Sequence, residues 1–573
     1  MKKFLKQDKF LKYLGVIFIF AIVSLLIQSA QIYVKGYVLG VDSIFHMNRI
    51  YETMMQMKTG EYNYFISLFS FQQSARIVNA LYGPAMAYLL GGILLITESW
   101  VKFQLITSFF INIIGALGIY RIAKKLSLGD LIAVLSGILY MSTYFIASWN
   151  IAGSFTGVGN MLVPFVVYYG IEMLVNKQNQ FSFFGLGFSM GILLQVHLFS
   201  SLLATVILLP FVCYGFFKTD KKKIFAIKLF AAIILAILLS LNVWIGMLYL
   251  FNSNYLLQTV PIDLMENAVY FLPNVGTGQA NIGIVFSLLF FTQICFSALY
   301  WNSIGKINKF LTIIGSLFLL LSSQFFPWSL LSQKFSPLET FLQFPSRLIV
   351  IPTIFLILAL GMNIEKSKGK NFIIVLGVLT LFSVSIAQNR VYERMESWKS
   401  ENVLASPNKK AGNVSSETLR NAIKSKNTGE VLDLVRKGTS DYLPVKKKVS
   451  NSNFEQFDPY SKYWSYIIYP NHNFKKSVVN GQIVVSWTGN SVESINVPIV
   501  KYRDTIVRDG ISEKKINPKL TDIGTIIVDS KKGENILKIS YDTPRYIILS
   551  MVISGVVFIL SSICILLQKL SKK

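Results

Sequence analysis

Asp42, His46 and Arg49 sit four and then three residues apart in the run Gly40-Val41-Asp42-Ser43-Ile44-Phe45-His46-Met47-Asn48-Arg49. On a helix this spacing puts a carboxylate, an imidazole and a guanidinium on one face. The run follows a long apolar stretch, so the acid lies at a membrane surface, where it could take a proton from a hydroxyl. An acid opening a helix could equally accept backbone N–H bonds as a cap. Spacing alone leaves both readings open. Arg347, in Phe344-Pro345-Ser346-Arg347, is a lone cation where an outer loop re-enters the membrane. Its planar fork could clamp a phosphate, or it could anchor the chain at the interface. His197 lies between two apolar runs, as a packing residue or as a ligand.

The elements that must position these residues follow from composition. Of 573 residues, 53% are hydrophobic and 14% aromatic, and only 15% are charged. Globular chains carry about 25% charged residues, so the expectation is a polytopic α-helical membrane protein. The net charge of +26 lies mostly in Lys clusters between apolar runs, as membrane loops arrange it. Nucleic acid is therefore not expected as a partner. Cys213, Cys295 and Cys564 sit in apolar runs with no metal-ligand spacing, which predicts unbridged core thiols. No Walker motif, dinucleotide fingerprint, zinc motif or Ser-His-Asp set stands out. Neither a cofactor nor a bound metal is expected.

A spanning helix needs roughly 17–25 apolar residues, and thirteen runs qualify, from 13–31 to 545–567. The run 14–30 after a basic start reads as an uncleaved anchor. If 83–98 lies in the outer leaflet rather than crossing, the basic clusters (among them Arg121 with Lys124 and Lys125, Lys177, Lys218 with Lys221–Lys223, Lys569 with Lys572 and Lys573) fall inside. Twelve helices then cross, with both termini cytoplasmic. One helix over 182–217 would be about 54 Å long, so two short helices meeting at His197 are expected.

The expected domains are 1–387, transmembrane, with a long first outer loop at 32–102; 388–544, extracytoplasmic; and 545–573, a final anchor and cytoplasmic tail. The outer domain opens with short helices over 415–436, capped at Ser415, and continues as a β-sandwich of roughly 100 residues. Asn480-Gly481 between β-branched residues predicts a hairpin. Thr525–Val528 and Ile536–Tyr541 predict a second one.

The pattern Gly-x-Asp-x-x-Phe-His-x-x-Arg-Ile at Gly40–Ile50 resembles the start of the YfhO-type bacterial membrane proteins, grouped with the GT-C superfamily of glycosyltransferases. Leu81-Tyr82-Gly83-Pro84, His197-Leu198-Phe199-Ser200, Gln343-Phe344-Pro345-Ser346-Arg347 and Asp441-Tyr442-Leu443-Pro444 extend the likeness over nearly the whole chain. The resemblance implies a GT-C fold whose first outer loop carries an essential carboxylate, here Asp42 as general base. It implies transfer of a sugar from a polyprenyl-phosphate donor outside the cytoplasmic membrane, with His46, Arg49, Tyr82, His197 and Arg347 binding substrate. Many such enzymes carry a second acid beside the first; here Ser43 follows Asp42.

On that reading the acceptor hydroxyl gives its proton to Asp42, and cations stabilise the departing phosphate. One base without a covalent nucleophile predicts inversion at the anomeric carbon. The expected acceptor is an anionic envelope glycopolymer such as a teichoic acid, drawn to Lys446, Lys447, Lys448, Lys475, Lys476, Lys514 and Lys515; these lysines could also form a merely solvated face. A donor-lipid synthase and membrane lipids complete the partners. Two other readings are a flippase or exporter of lipid-linked sugars, and a non-catalytic scaffold of envelope assembly.

Overall fold

The computed structural model describes residues 2–176, 178, 180–271, 278–404, 409–411 and 414–570. Lys177, Lys572 and Lys573 of the inward basic set lie outside them.

Every one of the thirteen apolar runs is helical. Among the described residues, eight helices are long and apolar enough to cross a membrane, or nine if Lys222–Leu239 and Leu241–Ser253 form one broken span. The other three of the expected twelve lie at or below the lower end of the spanning range. Phe183–Val196 has 14 residues, Gly283–Leu299 has 17 and Lys306–Ser322 has 17. At 1.5 Å per residue they reach about 21–26 Å against a hydrocarbon core of about 30 Å. Length and composition therefore support eight or nine spans. Pro84–Thr97, the run placed in the outer leaflet, is also short at 14 residues. Large apolar side chains stand exposed along Phe10–Ile27, Lys370–Lys399 and Arg545–Leu570, including Phe18, Leu381 and Leu560, as in helices solvated by lipid. The three cysteines belong to this class. All are unbridged, but they are exposed rather than core, because each lies on the outward side of its helix.

The chain forms two compact units. One holds Met1–Gly40, Gln104–Ala236 and Ile262–Ser400; the other holds Val41–Phe103, Ile237–Pro261 and Glu401–Lys573. This division cuts across the contiguous one read from the sequence. The first loop and the final helix share a unit with the β-rich region, and the helix Lys370–Lys399 runs twelve residues beyond the expected boundary at 387.

In the first unit, helix breaks have local causes. The helix Leu198–Lys218 begins at His197, whose Nδ1 accepts from Ser200 N at 3.3 Å, a side-chain N-cap in place of the usual oxygen. The two short helices thus meet where expected. Asp130–Met141 ends at Ser142, whose carbonyl accepts from the buried Arg390 guanidinium.

In the second unit, Ser415 caps Ser416–Lys424 by accepting from Thr418 N, as expected. The strands are β1 (Lys409–Ala411), β2 (Val435–Lys437), β3 (Lys475–Val479), β4 (Gln482–Gly489), β5 (Glu493–Val500), β6 (Thr505–Asp509), β7 (Lys515–Ile516), β8 (Lys519–Leu520), β9 (Thr525–Ser530) and β10 (Gly533–Tyr541). β1 pairs with β2. A five-stranded sheet of order β3-β4-β10-β6-β7 and a three-stranded one of order β5-β9-β8 make the sandwich. Ile483, Val485 and Leu537 of one sheet share a core with Val497 and Ile526 of the other, and with Phe65, Ile66 and Ile77 of the first loop.

The Asn480-Gly481 hairpin forms as read. Both residues have positive φ, 52° and 68°, the primed-turn geometry that suits right-twisted strands. Glu61 of the first loop accepts from Asn480 N at 3.0 Å. The second expected hairpin does not form. β9 pairs with β5 and β8, whereas β10 pairs with β4 and β6. The reason is Asn535: its side chain accepts from Lys531 N and donates to Lys531 O, both at 2.8 Å. These bonds replace the first rungs of a ladder and let the strands part into separate sheets.

Candidate functional site

The helix Ser43–Thr59 builds the site. Asp42 precedes it, and its carbonyl accepts from His46 N at 3.0 Å. Its carboxylate makes no cap bond, so the cap reading is not realised. The side chain is instead 42% exposed, 3.9 Å from Lys437 Nζ. That ammonium is held by donating to Val41 O at 2.8 Å.

His46 and Arg49 do lie on one face, but both are buried. Arg49 Nε donates to Asn79 Oδ1 at 2.9 Å, and its NH1 lies 3.2 Å from His46 Nδ1. A guanidinium only donates, so Nδ1 accepts and the imidazole is neutral with its proton on Nε2. Burial lowers the Arg49 pKa to about 10 against the opposing pull of Tyr82 and Tyr442; it stays charged at neutral pH. Its guanidinium carbon sits 4.6 Å from the Tyr82 ring centroid, within cation–π range. Tyr82 in turn meets Tyr442 edge-on at 5.8 Å. Burial raises the Tyr82 pKa well above the ordinary phenol value. His46 and Arg49 therefore support the acid site from beneath rather than line its surface.

Three further groups were given no role in the site by the sequence reading. Lys437 is the cation beside Asp42. Asp441 follows on the same connection, half-buried, and burial raises its carboxyl above the usual range. Arg76 holds that connection, donating to Thr439 Oγ1 at 2.6 Å and to the carbonyls of Thr439 and Asp441. For Asp441 the signal was the short Asp441-Tyr442-Leu443-Pro444 motif. Glu52, one helical turn below Arg49, accepts from Leu68 N, Phe69 N and Ser70 N at 2.7–2.9 Å, so it fixes the first loop. Among the described residues no cluster of three or more His, Cys, Asp or Glu side chains is placed to hold a metal ion.

In the other unit, Arg347 meets Phe199, two residues past His197. Arg347 stacks over the Phe199 and Phe344 rings at 5.0 and 4.8 Å. It donates to Leu342 O at 3.0 Å. His197 serves as the cap described above. Of the seven lysines read as a polymer-binding face, six are exposed. Lys476 is not: its Nζ donates to the carbonyls of Gln72, Gln73 and Pro498.

No family model matches this chain, and no curated protein does. Among solved structures, it is similar to the arabinofuranosyltransferase AftD from Mycobacteria, at 12% identity over 66% of this chain and 26% of that one, with a TM-score of 0.42. It is also similar to the oligosaccharyltransferase of Archaeoglobus fulgidus in its apo form, at 12% identity over 76% and 61% of the chains, with a TM-score of 0.35. The chain thus spans about a quarter and about three fifths of these structures.

Proposed function

We propose that this chain is a membrane glycosyltransferase. It moves a sugar from a polyprenyl-phosphate carrier to an envelope glycopolymer, with its β-rich region outside the cytoplasmic membrane and its termini inside. The observation that carries this reading is the Asp42 carboxylate. It is engaged in no cap, is partly exposed, lies beside one ammonium and rests on a buried Arg49–His46–Tyr82 support. A lipid-linked donor stays at the membrane face, so a multi-span protein with an acid just past its first helix suits the reaction. The donor is already activated by its phosphate. Asp42 takes the proton from an acceptor hydroxyl as that oxygen bonds the anomeric carbon. The carbon–oxygen bond to phosphate breaks, and its electron pair leaves on the phosphate. Direct displacement inverts the anomeric centre. Base catalysis of this kind contributes about 10²–10⁴-fold. In its own unit, Arg347 is assigned to a lipid phosphate at head-group level.

The test is a sugar analysis of the envelope polymers from three strains: wild type, deletion, and Asp42→Asn at wild-type abundance. The expected result is loss of the same substituent in the deletion and in Asp42→Asn. If the deletion loses the sugar and Asp42→Asn retains it, Asp42 is not the base, and a flippase or scaffold replaces the enzyme.

A further inference from the structure

The helix Leu241–Ser253 and the final helix Arg545–Leu570 lie side by side and antiparallel. Asn242 N donates to Ser554 Oγ at 3.3 Å, and Tyr249 meets Tyr546 edge-on with ring centroids 6.0 Å apart. The end of one helix and the start of the other therefore share one level. On the helical side of that level the exposed side chains are apolar, among them Leu248, Phe251, Ile548 and Leu549. At it stand two exposed tyrosines, Tyr255 and Tyr546. Apolar side chains giving way to aromatic and then basic ones mark a membrane–water interface.

The backbone brings five cations to this level. Arg545 opens the final helix. Arg503 N donates to Asn254 Oδ1 at 2.9 Å, one residue past the end of the other helix. The remaining three are Lys446, Lys447 and Lys448. Leu257 N donates to Leu443 O, and Val445 N to Tyr255 O, both at 2.8 Å. The connection thus runs antiparallel to 255–257 and descends toward the helix, so that Lys446 continues it to the level of Asn254. It has returned by Val449 and Asn451, whose oxygens accept from Gln258 Nε2 at 3.4 and 2.6 Å. The lysine triplet is therefore the turn, pinned on both sides, at the end nearest the helix. All five cations are exposed. Among the described residues none of them forms an ion pair. The acids beside them are Asp504, which accepts from the Tyr249 hydroxyl, and Asp542.

We propose that this face docks the anionic head groups of phospholipids in the leaflet where the two helices end, with the Lys446–Lys448 turn as its contact. Charge and level together select this occupant. A phosphatidylglycerol head group carries a phosphodiester charge with no cation of its own, whereas a zwitterionic head group sets a cation against the lysines. A soluble polyanion would be drawn by the same charge, but it would give the exposed tyrosines and the apolar rows beneath them no partner. Because both ends of the turn are already hydrogen-bonded, little backbone ordering remains to oppose binding. The surface needs only that the helix pair sits in a bilayer, and it does not depend on sugar transfer. It reassigns three of the lysines first read as a face for an envelope polymer.

The experiment places a photoreactive benzoylphenylalanine at Ser450, an exposed position two residues past the turn. The full chain is reconstituted in vesicles of equal phosphatidylglycerol and phosphatidylcholine, with soluble poly(glycerol phosphate) outside. After illumination the adducts are identified by mass. Each lysine near an anionic surface raises attraction about fivefold, so phosphatidylglycerol adducts should exceed phosphatidylcholine adducts by about tenfold or more. Lys446→Gln, Lys447→Gln and Lys448→Gln together should bring the ratio within about twofold of one, and the three arginine replacements should keep it high. Should the glutamine variant fail to assemble, salt decides with the parent chain: raising NaCl to about 1 M, where screening acts over about 3 Å, should collapse the preference. A parent ratio near one, a preference that survives both salt and the glutamine changes, or the absence of lipid adducts overturns the proposal. Adducts mainly with the soluble polymer overturn it too, and return the lysines to the polymer.

Discussion

Arg76 grips Thr439 twice, through its carbonyl and through its hydroxyl at 2.6 Å, across 363 residues of sequence. The same guanidinium reaches Asp441 O and lies between the rings of Phe71 and Tyr463, at 5.4 and 5.3 Å. One rigid fork therefore ties the first loop to the connection that carries Lys437 and Asp441. Arg76→Lys keeps the charge and loses the fork. A single ammonium cannot serve both carbonyls in the same geometry. With hydrogen bonds to a charged group worth about 1.5–3 kcal/mol each, the substitution should destabilise this unit by about 3 kcal/mol. Chemical unfolding in detergent checks it; a loss below about 0.5 kcal/mol, the range of an ordinary surface change, would show that the fork is dispensable.

A second network lies among apolar helices. Gln293 Nε2 donates to Asn308 Oδ1 at 3.2 Å, Asn308 Nδ2 to Asn363 Oδ1 at 2.9 Å, and Asn363 Nδ2 back to Gln293 Oε1 at 2.9 Å. These three amides close a ring joining the helices Gly283–Leu299, Lys306–Ser322 and Val350–Ser367. Interhelical hydrogen bonds in membranes average about 0.6 kcal/mol, but opening this ring strands the remaining amides. Asn308→Ala should cost about 2 kcal/mol. Adding Gln293→Ala should cost much less than it does alone, because the ring is already open. A double-mutant cycle reads the coupling, and additivity within about 0.5 kcal/mol would refute a closed ring.

What was legible in the sequence was local. Asn480-Gly481 names its own turn, because few residues tolerate two successive positive φ angles. The break at His197 followed from length alone. Hydrophobic runs located every apolar helix, yet they could not tell a 17-residue helix from a full span. The parting of β9 and β10 was hidden because it depends on one Asn535 side chain, and Asn is otherwise a turn residue. The site was half visible. Asp42, His46 and Arg49 share one helix, so spacing found them, but spacing cannot report that two of the three are buried. Lys437 meets Asp42, and Arg76 meets Thr439 and Asp441, only through tertiary contacts spanning hundreds of residues.

Gly40 is a test of close packing at the entry to the acid loop. A methyl group there would lie 2.2 Å from Ala152 Cα and 2.5 Å from Ala152 O. Backbone cannot swing aside as a side chain can, so Gly40→Ala should cost about 3 kcal/mol, the upper end for overpacking. Gly60, which ends the site helix with φ 76° and has nothing within 4 Å of the added carbon, offers the contrast. Gly60→Ala meets only left-handed strain, about 1 kcal/mol. Melting in detergent should rank Gly40→Ala well below Gly60→Ala; the reverse order would mean that the Gly40–Ala152 approach is not tight.

Lys476 gives the second unit a pH dependence with a defined sign. Its Nζ donates to Gln72 O at 2.8 Å, Pro498 O at 3.0 Å and Gln73 O at 3.3 Å, in a stretch where Phe71, Gln72, Gln73 and Ala75 all have positive φ. Burial pushes its pKa down to about 7 from an ordinary value of 10.5. Between those two values the unfolded chain binds the proton and the folded chain does not, so stability rises with pH across that window, by at most about 1.4 kcal/mol per unit. Lys476→Met removes the titration. It should be less stable than wild type at high pH, because the carbonyls served by the two N–H bonds of the neutral amine lose their donor, and it should show a flatter pH dependence between pH 7 and 10. Unfolding free energies measured over that range decide: equal slopes for wild type and Lys476→Met would place the titrating group elsewhere.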